Sequence, residues 1–396
     1  MKPLSVLHAN YAWLSQTETW MYTTVKFLPR EVTSHIVCER TACLEQFNLP
    51  NIHARNQIHP WRYAFEERVQ RWLGWKRCRA FRDRHAESFL VRQAKRHGAQ
   101  LLHSHFGTVG WANLNAARRA GVKHITTFYG VDVSMYPRQY PAWKKQYRDL
   151  FEAADLFLCE GPHMARCVVD LGCPKEKVRV HHLGVRVDEI PFKPRTWRPG
   201  TPLRILIAAS FREKKGIPYA LQALGILSRE IPIEITLIGD ASPEARSQAE
   251  KQKILGVINA YSLDPITRIL GYQPHTVLFD TAYTHHIFLS PSVIAADGDT
   301  EGGLPVALIE MAATGMPVVS TTHCDIPEVI QDGVSGCLAA ERDVDGLVAH
   351  LRWLVTHPDA WEAMVSAARR HIEVEFHAKV QGERLAAIYQ EVVGTT

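Results

Sequence analysis

No apolar run in the 396-residue sequence approaches the roughly 18 residues that span a bilayer. A membrane-spanning helix is therefore not expected. Cysteine is sparse: the eight residues (38, 43, 78, 159, 167, 173, 324, 337) are scattered with no CxxC pair. That argues against a disulfide framework or a zinc ribbon and for reduced thiols in the cytoplasm. The start, one lysine and then the strand-like run Ser5–Ala9, does not read as a signal peptide. There is no fixed-period repeat and no low-complexity tract. The first strand runs into Leu7-His-Ala-Asn-Tyr-Ala-Trp13 and lacks the GxGxxG of a tandem Rossmann dehydrogenase. No GDSL, GxSxG or Cys/His pairing offers a protein nucleophile. Excess charge of one sign is slight, +5 overall, so nucleic acid is not an expected partner.

That small excess is unevenly placed. Between Arg55 and Arg96 twelve basic residues face four acids, a net +8, which leaves −3 for the rest of the chain. Trp61, Phe65, Trp72, Trp75 and Phe81 are interleaved with these charges. The segment reads either as an interfacial helix facing an anionic membrane or as core aromatics beside solvated charges.

What the sequence does have is alternation. Ser5–Asn10, Thr33–Glu39, Leu101–Phe106, His124–Tyr129, Leu156–Glu160 and Val178–Val185 read as strands, with amphipathic helical stretches such as 108–120, 143–154 and 162–171 between them. Pro191–Pro202 then places four prolines in twelve residues, which neither helix nor central strand tolerates. The alternation restarts with Leu203–Ser210 and ends in three helices. The expected architecture is α/β, with two tandem Rossmann-like domains built on parallel sheets. Its expected parts are residues 1–190, a linker at 191–202, residues 203–376, and a helix at 377–396 returning to the first domain. Ligands of such sheets bind beyond the carboxyl ends of the strands, which makes the cleft between the domains the expected site.

Two segments of the second half carry chemistry. Asp297-Gly-Asp-Thr-Glu-Gly-Gly-Leu-Pro-Val-Ala-Leu-Ile-Glu310 is a glycine-rich loop opening a helix. Gly302 and Gly303 allow close backbone approach, and the first amides of the helix suit an anion. Glu310 would repel phosphate but accept hydrogen bonds from sugar hydroxyls. A ligand that is both phosphate and polyol, a nucleotide sugar, meets both demands. Ala209-Ser-Phe-Arg-Glu-Lys-Lys-Gly216 puts cations at the head of a helix, the wrong sign for its dipole. It reads as a solvated basic turn or as the seat of an anion. In the first half, His103 and His105 share a strand face. As a pair they could suggest metal, but no third ligand stands at a suitable spacing.

The loop from Glu301 to Ser320 resembles the EGxPVxxxEAMAxGxPVVxT signature of retaining glycosyltransferases of family 4, which have the GT-B fold. His323-Cys-Asp-Ile-Pro-Glu328, Gly333-Val-Ser-Gly336, Ile238-Gly239-Asp240 and Leu270-Gly271-Tyr272 are similar to further family stretches. Leu14-Ser-Gln-Thr-Glu18, His103-Ser-His-Phe106, Phe128-Tyr-Gly-Val-Asp132 and Gly298-Asp-Thr-Glu-Gly302 resemble the colanic-acid and exopolysaccharide type.

The resemblance implies transfer of a sugar from a nucleoside diphosphate donor to a glycan or lipid-linked acceptor, with retention and without metal or other cofactor. Asp297 and Asp299 then belong to a loop and not to a metal-binding DxD. His105 would contact the donor sugar, and Asp132 a sugar or acceptor hydroxyl. Glu310 would hold donor hydroxyls, and Glu301 joins it if a bulge at Gly302 corrects its spacing. Lys215 would clamp the diphosphate, with Arg212 replacing the arginine that the family has at Ser210. Gly239, Gly271, Gly302, Gly303, Leu304 and Pro305 would line the donor. The family often has histidine where Tyr129 stands. The expected location is cytoplasmic, peripheral at the inner face of the membrane. A phosphorylase or epimerase of the same fold, or a non-catalytic sugar-nucleotide-binding protein, is the competing reading.

Overall fold

The computed structural model describes residues 3–14, 18–73 and 75–394, with side chains for all of these except 70–82. Ser15–Thr17, and the side chains of Arg71, Trp72, Trp75, Lys76, Arg77, Arg79 and Phe81, lie outside the described residues. The chain divides into two units, 1–184 with 378–396, and 185–377.

The first unit carries a seven-stranded sheet. Its strands are β1 (Leu4–Trp13), β2 (Val32–Thr41), β3 (Ile52–Ala54), β4 (Leu101–His105), β5 (Lys123–Phe128), β6 (Leu156–Cys159) and β7 (Val178–Val180), in the order 3-2-1-4-5-6-7. Every pairing is parallel. Residues of one strand alternate between two cores, as the pleat requires. Val6 and Leu101 pack with Leu385 and Tyr389 of the helix Ala378–Gly394. Leu7 and Leu102 pack on the other face, with Phe89 and Ala94 of the helix Trp75–Arg96 and Ala116 of the helix Gly107–Ala120. Both faces of the sheet are covered, as in all-parallel sheets generally.

The second unit repeats the plan with β8 (Leu203–Ala208), β9 (Ile233–Ile238), β10 (Thr267–Ile269), β11 (Ile287–Ser290), β12 (Val318–Thr321) and β13 (Cys337–Ala339), in the order 10-9-8-11-12-13. Ile205 and Ile207 face the helix Ile217–Leu227, and Leu206 faces the helix Val306–Ala313. The proline-rich segment expected as a linker lies inside this unit. The Lys193 and Arg195 amides donate to the carbonyls of Thr314 and Gly315. The Arg195 guanidinium, buried, donates to the carbonyls of Ala282 and His285. Proline disfavours regular structure here, but the buried arginine fixes the chain by other bonds.

The basic segment begins inside the protein. Arg55 is buried, with Nε 2.9 Å from both Glu39 oxygens and Nη1 2.6 Å from Glu66 Oε2. It is not part of an exposed patch. Trp61 and Phe65, 89% and 60% exposed on the helix Pro60–Leu73, are not core residues. No helix among the described residues is long and apolar enough to cross a membrane.

Candidate active site

In each sheet the strand order reverses between the first and fourth strands, the switch point at which such sheets bind ligands. In the second unit the loops leaving β8 and β11, the two strands at that point, meet there. The basic loop 212–215 runs into the helix Ile217–Leu227 through Gly216, which has φ +63° and whose missing side chain would overlap the Pro291 carbonyl. This close approach joins the two loops and makes glycine obligatory.

Across that contact the charges pair. Arg212 lies 3.3 Å from Asp299, Lys214 3.2 Å from Asp299, and Lys215 2.8 Å from Glu301. Lys214 also donates to the Thr300 carbonyl at 2.7 Å. Glu301 accepts from the Ser292 hydroxyl at 2.9 Å. Burial alone would raise its carboxyl, but the Lys215 and Lys214 ammonium groups outweigh that and hold it at about 2. Its contribution to stability is therefore present above the ordinary glutamate range and is lost as pH falls toward 2. Asp297 pairs with Arg246 at 3.1 Å. Both carboxylates of the D-x-D thus face cations. Neither loop is a free solvated turn: the two neutralise each other.

The loop is held from beneath by His323, fully buried. Its Nε2 accepts from the Glu301 amide at 3.1 Å, so Nδ1 carries the proton toward Glu341, 2.6 Å away. The Gly302 amide donates to the Thr300 hydroxyl at 3.0 Å, and was expected instead to face the donor. Gly303 and Leu304 are buried, Pro305 caps the helix Val306–Ala313, and the Gly239 amide donates to the Gly271 carbonyl at 2.8 Å. Glu310 is engaged by a partner the sequence did not point to. His275, first residue of the helix His275–Ala282, sits with Nε2 3.0 and 3.1 Å from its two oxygens.

The switch point of the first unit holds neutral groups. His8 of β1 stands in register with His103 of β4, and His105 follows on the same face. His103 Nδ1 is 2.6 Å from the Tyr389 hydroxyl and its Nε2 is 2.6 Å from the Thr127 hydroxyl. His105 Nε2 is 3.2 Å from His8 Nδ1, and its Nδ1 is 2.7 Å from the Tyr129 hydroxyl. Burial first, then the neighbouring rings, pushes His103 and His105 far below the ordinary imidazole range and His8 to about 3. All three are uncharged at neutral pH.

The fold thus supplies the third histidine that local spacing does not show. The ring nitrogens of His103 and His105 are all spent on hydrogen bonds, and only His8 Nε2 lacks a partner. Phe106, next in the chain, is held at φ +77°, a cost that non-glycine residues bear chiefly at functional sites. Asp132 is fully buried. One oxygen accepts from the Gly107 amide at 2.7 Å and the other from the Tyr129 amide at 3.0 Å. A sugar or acceptor hydroxyl was expected on this carboxylate; in the structure each of its oxygens also holds an amide of the loop. Burial raises it to about 6 against those bonds.

Two doubly wound parallel sheets, each with these loops at its switch point, are the architecture of the GT-B fold. A glycosyltransferase from Rickettsia africae has the same fold, with a TM-score of 0.74 at 14% identity and 100% of both chains covered. So does Anabaena HepE, solved with UDP and glucose, with a TM-score of 0.73 at 14% identity and 98% and 100% covered. The chain belongs to glycosyltransferase family 4: residues 17–189 match the family of that name, and residues 202–357 match Glycosyl transferases group 1. It is 35% identical to the amylovoran biosynthesis glycosyltransferase of Erwinia amylovora over 77% of this chain and 73% of that one. It is 34% identical to a putative colanic acid biosynthesis glycosyltransferase of Escherichia coli over 74% and 70%.

Proposed function

We propose that the protein moves a sugar from a nucleoside diphosphate donor to a glycan or lipid-linked acceptor, with retention of anomeric configuration, in exopolysaccharide biosynthesis. The observation that carries this is the set of three cations, Arg212, Lys214 and Lys215, held against Asp299 and Glu301 at the switch point. An arriving diphosphate exchanges with those carboxylates, and the cations then meet the charge that grows on the leaving group. Glu310, oriented by His275, receives donor hydroxyls. The Anabaena protein of the same fold was solved with UDP and glucose, and the relatives named for amylovoran and colanic acid supply the polysaccharide context.

In the reaction, the bond from the anomeric carbon to the phosphate oxygen breaks. The acceptor oxygen bonds to that carbon on the same face, and its proton passes to the departing phosphate. The products are the glycosylated acceptor and the nucleoside diphosphate. In this scheme the lysines and arginine do the work a metal would do, and chelation is expected to leave turnover unchanged. In the first unit, neutral His105 reaches the sugar by exchanging its bond to the Tyr129 hydroxyl or to His8 for one to a sugar hydroxyl, and Asp132 positions its loop. Exposed Trp61 and Phe65, one turn apart beside exposed Arg62 and Arg68, suit a cytoplasmic enzyme resting on an anionic membrane that carries the acceptor.

The test is transfer from UDP-, GDP- and ADP-sugars, with product stereochemistry read by NMR. An α-linked product from an α-donor is expected. Inverted product, or no transfer from any nucleoside diphosphate sugar, would refute the proposal.

A further inference from the structure

A second group of histidines stands in the first unit. His35 lies on β2 and His53 on β3, which pairs with β2 in parallel. His97 follows the helix Trp75–Arg96, where its carbonyl accepts from the Ser5 hydroxyl at 3.0 Å. His35 is in register with Leu7, whereas His8 is in register with His103. Neighbouring residues of a strand face opposite sides, so this group and the His8–His103–His105 network occupy opposite faces of the sheet.

Each group holds one buried ring nitrogen without a partner, His8 Nε2 in the first and His97 Nε2 in the second, and they differ in access: the first is wholly buried and the second partly exposed. Around His103 and His105 every ring nitrogen has a hydroxyl or imidazole partner. In the second group, His97 Nε2 is buried with no partner at all. His35 Nδ1 and His53 Nε2 lie 3.3 Å apart, and one nitrogen from each of the three rings lies within 4.8 Å of the others. Zinc–nitrogen bonds of about 2.0–2.1 Å at a tetrahedral centre separate two ligand nitrogens by about 3.3 Å. The His35–His53 pair already has that spacing, and a buried third nitrogen needs a partner. His35 is buried, while His53 and His97 are partly exposed. An ion can therefore enter from solvent and keep one position for water.

We propose that His35, His53 and His97 form a three-histidine site for a borderline divalent ion of the zinc class. The rings now stack within 22–25° of parallel. Binding turns their lone pairs toward a common centre and replaces ring stacking with three nitrogen–metal bonds. Such an ion ties β2 and the edge strand β3 to the end of the helix Trp75–Arg96. It stabilises that edge of the sheet and takes no part in sugar transfer, so it stands or falls independently of the function proposed above.

The test uses the untagged full chain, stripped with EDTA and dialysed. Zn²⁺ is titrated by calorimetry, and Co²⁺ by its visible absorption, whose intensity distinguishes tetrahedral from octahedral coordination. One ion per chain, a tetrahedral Co²⁺ spectrum and a rise in melting temperature with Zn²⁺ are expected. His53→Gln and His97→Gln should each weaken binding at least about tenfold while the metal-free variants keep the wild-type circular dichroism. No saturable binding by wild type would overturn the proposal. So would binding that both folded variants retain at full affinity, because the ion would then sit elsewhere, on the cysteines or in the other histidine network.

Discussion

The two units place opposite chemistry at the same point of the same topology. At the switch point of the second, cations and carboxylates face each other: Lys215 with Glu301, Lys214 and Arg212 with Asp299. At that of the first, imidazoles and hydroxyls form an uncharged network through His8, His103, His105, Thr127, Tyr129 and Tyr389. A charged pair can exchange partners with an incoming anion, whereas a buried neutral network can only orient what touches it. In the proposed function this contrast separates a donor side, in the second unit, from an acceptor side in the first.

The sharpest way to break that contrast is Lys215→Ala. It leaves Glu301 buried without its nearest ammonium, which is expected to cost about 3 kcal/mol or more of stability. It should also lower turnover about 10²–10³-fold. Adding Glu301→Ala should restore most of the melting temperature and none of the turnover. If the double variant regained activity, the lysine would be structural alone.

The next largest effect is expected in the first unit and depends on pH. Asp132, raised to about 6 by burial, contributes its full stability below the ordinary aspartate range and loses it as pH rises through about 6. The melting temperature of wild type minus that of Asp132→Asn should therefore fall between pH 4 and pH 8, by the equivalent of on the order of 2 kcal/mol. A difference that stays flat would mean that the carboxylate is not held against its burial.

Comparable in stability, and smallest in its expected effect on function, is Tyr389→Phe. It removes the hydroxyl bonded to His103 at 2.6 Å and should cost about 1–3 kcal/mol with little change in nucleotide affinity. A large loss of affinity would show that the neutral network reaches the donor.

What the sequence made legible follows the same division. The loops of the second unit are contiguous segments, so Arg212, Lys215, Glu301 and Glu310 could be named from those segments and their resemblance to the family's motifs. Their mutual pairing spans 86 residues and needed the fold. So did His275, which carries no signal beyond an isolated histidine before a helix. In the first unit His103 and His105 were visible as a pair on one strand. His8 reaches His105 across 97 positions, and Tyr389 reaches His103 across 286, through strand register and a returning helix. A histidine inside a largely apolar first strand was the one available hint. The edge strands Ile52–Ala54 and Thr267–Ile269 are three residues long, too short for an alternating pattern to show. Arg55 counted as surface charge because nothing local marks its ion pairs with Glu39 and Glu66.

In the proposed function the paired loops of the second unit bind the donor diphosphate. Calorimetric titration of UDP, GDP and ADP into wild type and into the folded Lys215→Ala/Glu301→Ala variant tests it most directly. One nucleoside diphosphate binding wild type, and at least tenfold more weakly the variant, is the predicted result. Equal affinity for both proteins, or no binding of any of the three to wild type, would contradict it.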